Sequence, residues 1–429
     1  MTTAASTRWA GRSAGRCLLI AVLFAAAAVL FTVYWLPTAR ERYGHLQMVQ
    51  SGPSRPQFDF WQYYVAGHNW RLGADPYVAF PRVSGTIPFP RSTTISGYIY
   101  PPTALPVYGA LARLTYDQAR AVWLAVCLAA LLCPLAIGVV LAGGRRWETA
   151  ALGSLLFVVS DPVLFHIRQG QIDMIVAGLS VTAFLLYGRL RSWPTAALFA
   201  VAVCLKLTPA VVVLALVAYH RDWRLLAKTV VAGLALIALS LAVVSPALYG
   251  EYVSAVLPQA SGGNPFFHNQ SLLRGWSHLD VWAKYASLGG YALVVAAAAV
   301  AGHIRPPNRD EAGQRSLTGS SLQLLVLSVM GVLLFSPLSW RMAFVWAVVP
   351  MTLVLAAAPW RGARWQYALA AAGTVLMCLP VWDAPVLDSL ETIGAVLAAA
   401  GVLAALLSNK ADRAVATGIG RDPGRLSAG

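Results

Sequence analysis

Residues 193–219 read WPTAALFAVAVCLKLTPAVVVLALVAY, and the way this stretch crosses or re-enters a membrane decides the topology of everything around it. It is apolar except at Thr195 and around Lys206-Leu207-Thr208-Pro209 in its middle. Arg189 and Arg191 precede it, and Arg221 and Arg224 follow it. A single span would put these two basic clusters on opposite faces. Two short half-spans turning at Leu207 to Pro209 keep both on one face, as the preference of basic residues for the cytoplasmic side requires. Pro209 suits the first turn of the second half, where a missing N–H leaves nothing unpaired. The sequence therefore predicts a hairpin over 193–219.

The premise that lipid surrounds the chain comes from its composition. Of 429 residues, 58% are hydrophobic and only 11% are charged. Soluble domains carry roughly a quarter charged residues, so this chain lacks the charge to cover a core of its size in water. The net charge of +15, from 32 Lys and Arg against 17 Asp and Glu, falls in short clusters between apolar runs. That placement fits membrane orientation rather than a groove for nucleic-acid phosphates, and no nucleic-acid partner is expected. The five cysteines lie in or beside apolar runs, without CxxC or metal spacing, and read as small buried hydrophobes.

Outward from the hairpin, the chain reads as an all-α integral membrane protein. It forms one polytopic domain, 1–408, of about twelve transmembrane segments. Residues 17–37, after Arg8, Arg12 and Arg16, are too long an apolar run for a signal peptide and read as a retained first span. Spans follow at 117–142, 149–165, 173–188, 225–246, 286–304, 318–335, 342–358, 365–381 and 392–407. Both termini fall on the cytoplasmic side, and residues 409–429 read as a disordered tail. The outer face receives two long loops, 38–116 and 247–285. The cytoplasmic loops are short and hold no GxxxxGK[ST] motif, which excludes an ATP-driven pump of the usual kind.

The outer loops carry the chemistry. In Phe58-Asp59-Phe60-Trp61-Gln62-Tyr63-Tyr64-Val65, apolar positions at 60, 61, 64, 65 and 68 approximate a helical stripe that lies along the membrane face. Asp59 either caps that helix or accepts a proton from a hydroxyl. Tyr98-Ile99-Tyr100-Pro101-Pro102 is stiff and extended; Tyr100 covers a sugar ring or simply leads the chain into the next span. Gln169-Gly170-Gln171-Ile172-Asp173 offers amides and a carboxylate for sugar hydroxyls or for helix caps. Lys206, a cation inside an apolar hairpin, either snorkels to the surface or meets an anionic headgroup such as a lipid phosphate. The second loop holds Gly262 to Leu272, with Phe266, Phe267, His268, Asn269, Gln270 and Ser271, a mixture of neutral polar groups and aromatics that suits carbohydrate. At the turn Ser336-Pro337-Leu338-Ser339-Trp340-Arg341, Arg341 pairs with a phosphate or snorkels. No HExxH or Ser/His/Asp motif is present; His68, His268 and His278 are scattered, so no cofactor is expected, and a divalent metal is left open.

Taken in order, Asp59-Phe60 with Tyr63-Tyr64, Gly73 with Asp75-Pro76-Tyr77, Tyr100-Pro101-Pro102, Gly170-Gln171, Leu205-Lys206-Leu207-Thr208-Pro209, Asn269-Gln270-Ser271 and Ser336-Pro337-Leu338-Ser339-Trp340 resemble glycosyltransferase family 87 across residues 59 to 340. The resemblance is nearest to the actinobacterial polyprenol-phosphate-mannose-dependent α-(1,2)-mannosyltransferases of phosphatidylinositol mannoside and lipomannan synthesis. It implies a GT-C fold and transfer of a sugar, with mannose first, from a polyprenyl-phosphate donor to a glycolipid acceptor on the outer face of the bacterial cytoplasmic membrane. It implies that Asp59 is the base and that Lys206 lies near the donor phosphate. Arg341 is a second candidate there. Tyr63, Tyr100, Gln171, His268, Asn269 and Gln270 are the candidates for sugar and acceptor. Many relatives carry one or two histidines after the Ser-Pro-x-Ser-Trp turn, whereas this chain has Arg341-Met342-Ala343-Phe344; His268 or Arg341 is the substitute at hand. The rival readings are a flippase or transporter for lipid-linked sugars and an arabinofuranosyltransferase using polyprenyl-phosphoarabinose.

Overall fold

The computed structural model describes residues 58–77, 98–142, 146–187, 192–261, 270–273, 280–304, 319–357, 364–379 and 389–419. Among these the secondary structure is helical and no β-strand occurs. The first span at 17–37 and the candidates His268 and Asn269 lie outside the described residues.

Helix α1 (Phe58–Arg71) opens the described chain. A 3-10 turn (Pro102–Ala104) leads into the short α2 (Leu105–Leu111). The two cross so tightly that a Cβ on Gly67 would collide with the Tyr108 backbone. Arg71 Nη1 donates to Ala112 O (2.8 Å) and Tyr64 Oη donates to Leu114 O (2.8 Å), closing off carbonyls that the end of α2 leaves unpaired. The predicted stripe along α1 does not hold: Phe60, Trp61, Tyr63, Val65 and Ala66 are all buried, while His68 is exposed. The reason is an aromatic cluster in which Phe60 and Tyr63 meet Trp123, and Tyr63 also stacks on Tyr108. Both sides of α1 are therefore covered.

Helix α3 (Tyr116–Leu141) begins with a capping box, in which Thr115 and Gln118 each satisfy the other's backbone N–H. α4 (Arg146–Val159) and α5 (Asp161–Gln169) meet at a bend of 57° beside Pro162. α6 (Asp173–Leu186) follows the turn at Gly170. Then come α7 (Ser192–Leu205) and α8 (Pro209–His220), the two halves of the 193–219 stretch. α9 is Trp223–Leu241, capped by Asp222, whose side chain accepts from Leu225 N.

The chain reverses at Lys206 to Thr208, as the hairpin requires. Trp193, at the start of α7, lies under the Lys228 ammonium (5.5 Å), and His220, at the end of α8, packs on Tyr187 (4.9 Å). Tyr187 in turn donates to Asp222 (3.0 Å), so the two outer ends of the stretch share one end of the bundle. Its middle, Lys206, reaches Asp173 at the start of α6, the other end.

After α9 a short α10 (Pro246–Glu251) passes through a π turn (Tyr252–Val256) into α11 (Leu257–Ser261). The long α12 (Asp280–Ile304) packs on α8 and α13 (Gly319–Phe335). A 3-10 turn (Arg341–Phe344) leads into α14 (Val345–Ala357), which packs on α4 and α6. α15 (Arg364–Cys378) and α16 (Leu390–Ile419) pack backbone to backbone at Gly373, Gly394 and Gly401. α16 continues as backbone through Ile419, into the stretch that the sequence predicts to be a disordered tail.

Among the described residues, four helices are long and apolar enough to cross a membrane: α3, α9, the Lys284–Ile304 part of α12 and the Leu390–Leu407 part of α16. The bent α4–α5 pair makes a fifth if it is one span. Five shorter apolar helices fill the interior. The long helices leave apolar side chains on the outside, among them Val140, Leu234, Leu239, Leu293 and Leu407. Exposed apolar faces on helices that satisfy their own backbone hydrogen bonds are what a lipid solvent demands. This is a helical membrane protein.

Candidate active site

A cavity of about 700 Å³ opens at the bundle end marked by Lys206 and the Gly170 turn. α1, the Tyr100–Pro101 segment, the reversal at Lys206 to Thr208, α11, α12 and the Ser336–Trp340 turn form its walls. Among the described residues that line it, three are charged: Asp59, Lys206 and Lys284. The others are neutral polar, aromatic or aliphatic.

Asp59 sits in the first turn of α1, and Gln62, one turn on, shares its cavity-facing side. Asp59 Oδ2 is buried with no hydrogen-bond partner among the described residues, so as a cap it would leave that oxygen unused. Burial, first, and the neighbouring Asp173 carboxylate, second, push the Asp59 carboxyl up from its ordinary 3.8 to about 7, while the Lys206 ammonium pulls it down. A carboxylate in that position accepts a proton far more readily than one in water.

Two more side-chain atoms beside it lack partners among the described residues: Gln62 Nε2, a donor, and Gln171 Oε1, an acceptor. Asp59, Gln62 and Gln171 all line the cavity, and a buried polar group without a hydrogen bond costs about 1–3 kcal/mol, a cost that a polar ligand there would offset. Gln171 is aimed there by local geometry. Gly170 ends α5 with φ +67°, a left-handed conformation that favours glycine, and its N–H bonds His166 O (2.8 Å). Its carbonyl accepts from Trp123 Nε1 (2.6 Å), which pins the turn to α3. Tyr100 lines the same wall, held by Pro101 behind it and by Tyr77 Oη donating to its carbonyl (3.0 Å).

Lys206 is paired. Its Nζ donates to both oxygens of Asp173, at 2.8 and 3.0 Å, and Asp173 Oδ1 also accepts from Trp346 Nε1 (3.0 Å). An ammonium has three N–H groups, so one remains for the cavity that Lys206 lines. Asp173 is engaged by Lys206 on both oxygens and by Trp346 on one, whereas Asp59 Oδ2 has no partner among the described residues.

Other predicted residues are elsewhere. Arg341, expected at a phosphate or at the surface, does neither. It is 3% exposed and bridges Asp161 Oδ2 (2.6 Å) and Glu391 Oε1 (2.9 Å), while its neighbours Trp340 and Met342 line the cavity. Two carboxylates reaching a planar guanidinium from different helices outcompete an external anion. Tyr63 is fully buried, its ring edge-on to Tyr100 (5.2 Å) and its hydroxyl accepting from Ile172 N (3.4 Å); it supports the wall rather than lining it. Gln270 is also absent from the lining: its N–H donates to Ser339 O (2.7 Å), and Thr392 donates to its carbonyl (2.7 Å). Sequence reasoning missed Gln62 and Lys284. Both have a helical signal: Gln62 is three residues after Asp59, and Lys284 starts the series 284, 287, 288, 291, all four of which line the cavity. No group of three or more His, Cys, Asp or Glu side chains able to hold a metal occurs among the described residues.

A bundle of apolar helices around a cavity lined by Asp59, Gln62, Gln171 and Lys206 defines a class, a helical membrane protein with a polar cavity at one end of its bundle. The model of glycosyltransferase family 87 matches residues 98–337, more than half of the chain. The chain belongs to glycosyltransferase family 87. It is similar to the polyprenol-phosphate-mannose-dependent alpha-(1-2)-phosphatidylinositol mannoside mannosyltransferase of Mycolicibacterium smegmatis, with 28% identity over 251 residues. That match covers 56% of this chain and 53% of the relative, so the chain spans about half the length of the curated protein it matches. No solved structure matches. Asp59 lies ahead of the family-matched range, and its assignment rests on geometry.

Proposed function

We propose that this protein transfers mannose from a polyprenyl-phosphate donor to a lipid-anchored glycan, with inversion, at the extracytoplasmic face of the bacterial cytoplasmic membrane. The reading places about twelve segments in the membrane, with both termini in the cytoplasm. The observation that carries it is the bare, buried Asp59 Oδ2 at the polar wall of a cavity whose remaining walls are largely apolar.

An acceptor hydroxyl beside Asp59 gives its proton to Oδ2 as its oxygen attacks the anomeric carbon. The bond from that carbon to the phosphate oxygen breaks, and its electron pair leaves with the polyprenyl phosphate. The transition state is oxocarbenium-like, and one displacement inverts the centre. The leaving group is already a stable anion, so no acid has to protonate it. The free N–H of Lys206 is the contact for its growing charge. Gln62 and Gln171 supply the donor and acceptor that a sugar hydroxyl needs. Arg341 has no part in this chemistry; it holds the Ser336–Trp340 turn through Asp161 and Glu391.

The test is transfer of radiolabelled mannose from polyprenyl-phosphomannose to a glycolipid acceptor by the purified protein in detergent, with polyprenyl-phosphoarabinose in parallel. Transfer from the mannosyl donor supports the proposal. Transfer only of arabinose reassigns the donor. No transfer with either, together with movement of lipid-linked sugar across sealed vesicles, identifies a flippase instead.

A further inference from the structure

Lys284 is the third charged residue on the cavity wall, and its position differs from that of Lys206. It has no carboxylate partner among the described residues, whereas Lys206 is held on both oxygens of Asp173. It lies at the start of the apolar span of α12, at 284–304, where a cation meets the edge of the membrane rather than its middle. Ser287, Leu288 and Tyr291 follow at helical spacing on the same cavity-lining stripe. Ser287 is fixed by its hydrogen bond to Phe335 O (2.7 Å), which fastens this part of α12 to the end of α13. Leu288 lines the cavity and is also 62% exposed, so the stripe runs from the interior to the outer surface of the bundle. Leu257, Ala260 and Ser261 of α11 line the same cavity.

The charges on the wall identify what this place would take. Asp59 and Asp173 bring two carboxylates to the polar end, and Lys206 offsets one of them. An anionic ligand needs a cation within reach, and a ligand with an apolar chain needs a path to lipid. Lys284 and Leu288, one helical turn apart, offer these in adjacent positions.

We propose that Lys284 binds the phosphate of a polyprenyl phosphate, with the isoprenoid chain leaving the cavity past Leu288 between α11 and α12. The inference rests on the lipid-phosphate donor of the proposed function and adds a residue and an exit path to it. Lys206 then faces the reacting end of the phosphate and Lys284 the membrane end. Because the proposal concerns the lipid and not the sugar, it can be tested without the transfer reaction.

The experiment measures binding of farnesyl phosphate, farnesol and inorganic phosphate to the purified full-length protein in a neutral detergent. Wild type, Lys284→Gln and Lys284→Met are compared. The wild type is expected to bind farnesyl phosphate about tenfold or more tightly than farnesol, the scale of one charge-assisted contact, and inorganic phosphate more weakly than either. In both variants the preference for phosphate over alcohol should fall to about twofold, while farnesol binding, which reports an intact apolar path, stays unchanged. Either variant keeping the full preference overturns the proposal, as does inorganic phosphate competing as well as farnesyl phosphate. If the preference depends on Lys284 but mannose is not transferred, the site binds lipid phosphate and the proposed reaction is the part that fails. If mannose is transferred and the preference does not depend on Lys284, this assignment alone fails.

Discussion

Lys206 Nζ lies 2.8 and 3.0 Å from the two oxygens of Asp173, one of which also accepts from Trp346. This contact ties the reversal between α7 and α8 to the start of α6 and engages one of the two carboxylates near the cavity. The Asp173 side chain is 1% exposed and that of Lys206 is 20% exposed. Lys206→Met leaves a buried carboxylate without its counter-charge and is expected to cost about 3 kcal/mol of stability. Lys206→Met with Asp173→Asn should recover much of that loss, because neither charge is then stranded. Thermal unfolding of the two single variants and the double variant in detergent gives the cycle; losses that simply add would count against the pairing.

Arg341 joins Asp161, 180 residues earlier, to Glu391, 50 residues later. Its replacement should act on folding rather than on donor binding. Arg341→Lys keeps the charge but loses the fork that reaches two carboxylates at once. The expected result is a lower unfolding temperature, with the KM for the donor within about twofold of wild type in the folded fraction. A large rise in KM at unchanged stability would return Arg341 to the phosphate.

Gly170 holds a left-handed backbone that presents Gln171 to the cavity. Gly170→Ala is expected to cost about 1–2 kcal/mol and to raise the KM for the sugar substrates by displacing that amide. Gln171→Ala should raise the same KM without the stability loss. Comparing unfolding with KM for the two variants separates turn geometry from ligand contact.

The pH dependence follows from Asp59. Its carboxyl is raised to about 7, so the protonated form, which cannot act as a base, predominates below that pH. Activity should therefore rise as pH increases through about 7 and level off above it. Since the folded protein holds this proton more tightly than the unfolded chain, Asp59 also makes stability fall as pH rises from about 4 to about 7. A profile of kcat/KM against pH checks the first, and unfolding temperature against pH checks the second. A profile that is flat between pH 6 and 8 would contradict the first.

What the sequence made legible was local. The hairpin followed from basic clusters on either side of Lys206 and from Pro209, features within one stretch. Asp59, Tyr100 and Gln171 lie in short polar segments between apolar runs, and each lines the cavity. What escaped was pairing over distance. Nothing near Arg341 announces Asp161 or Glu391, and nothing near Lys206 singles out Asp173 among the carboxylates. The stripe from Lys284 to Tyr291 was divided between a loop and a span, because apolar content alone starts the span after Lys284, while the helix begins at Asp280. The α1 stripe failed for the opposite reason: a helix covered on both sides by aromatic neighbours has no single apolar face to read.

The central claim is that Asp59 is the base. The most direct measurement is the single-turnover rate of mannose transfer by Asp59→Asn, with farnesyl phosphate binding as the check that the cavity is intact. The substitution keeps the shape of the side chain and removes its ability to take a proton. The account predicts unchanged farnesyl phosphate binding and a rate lower by about a hundredfold or more. A wild-type rate in a variant that binds farnesyl phosphate normally would contradict it.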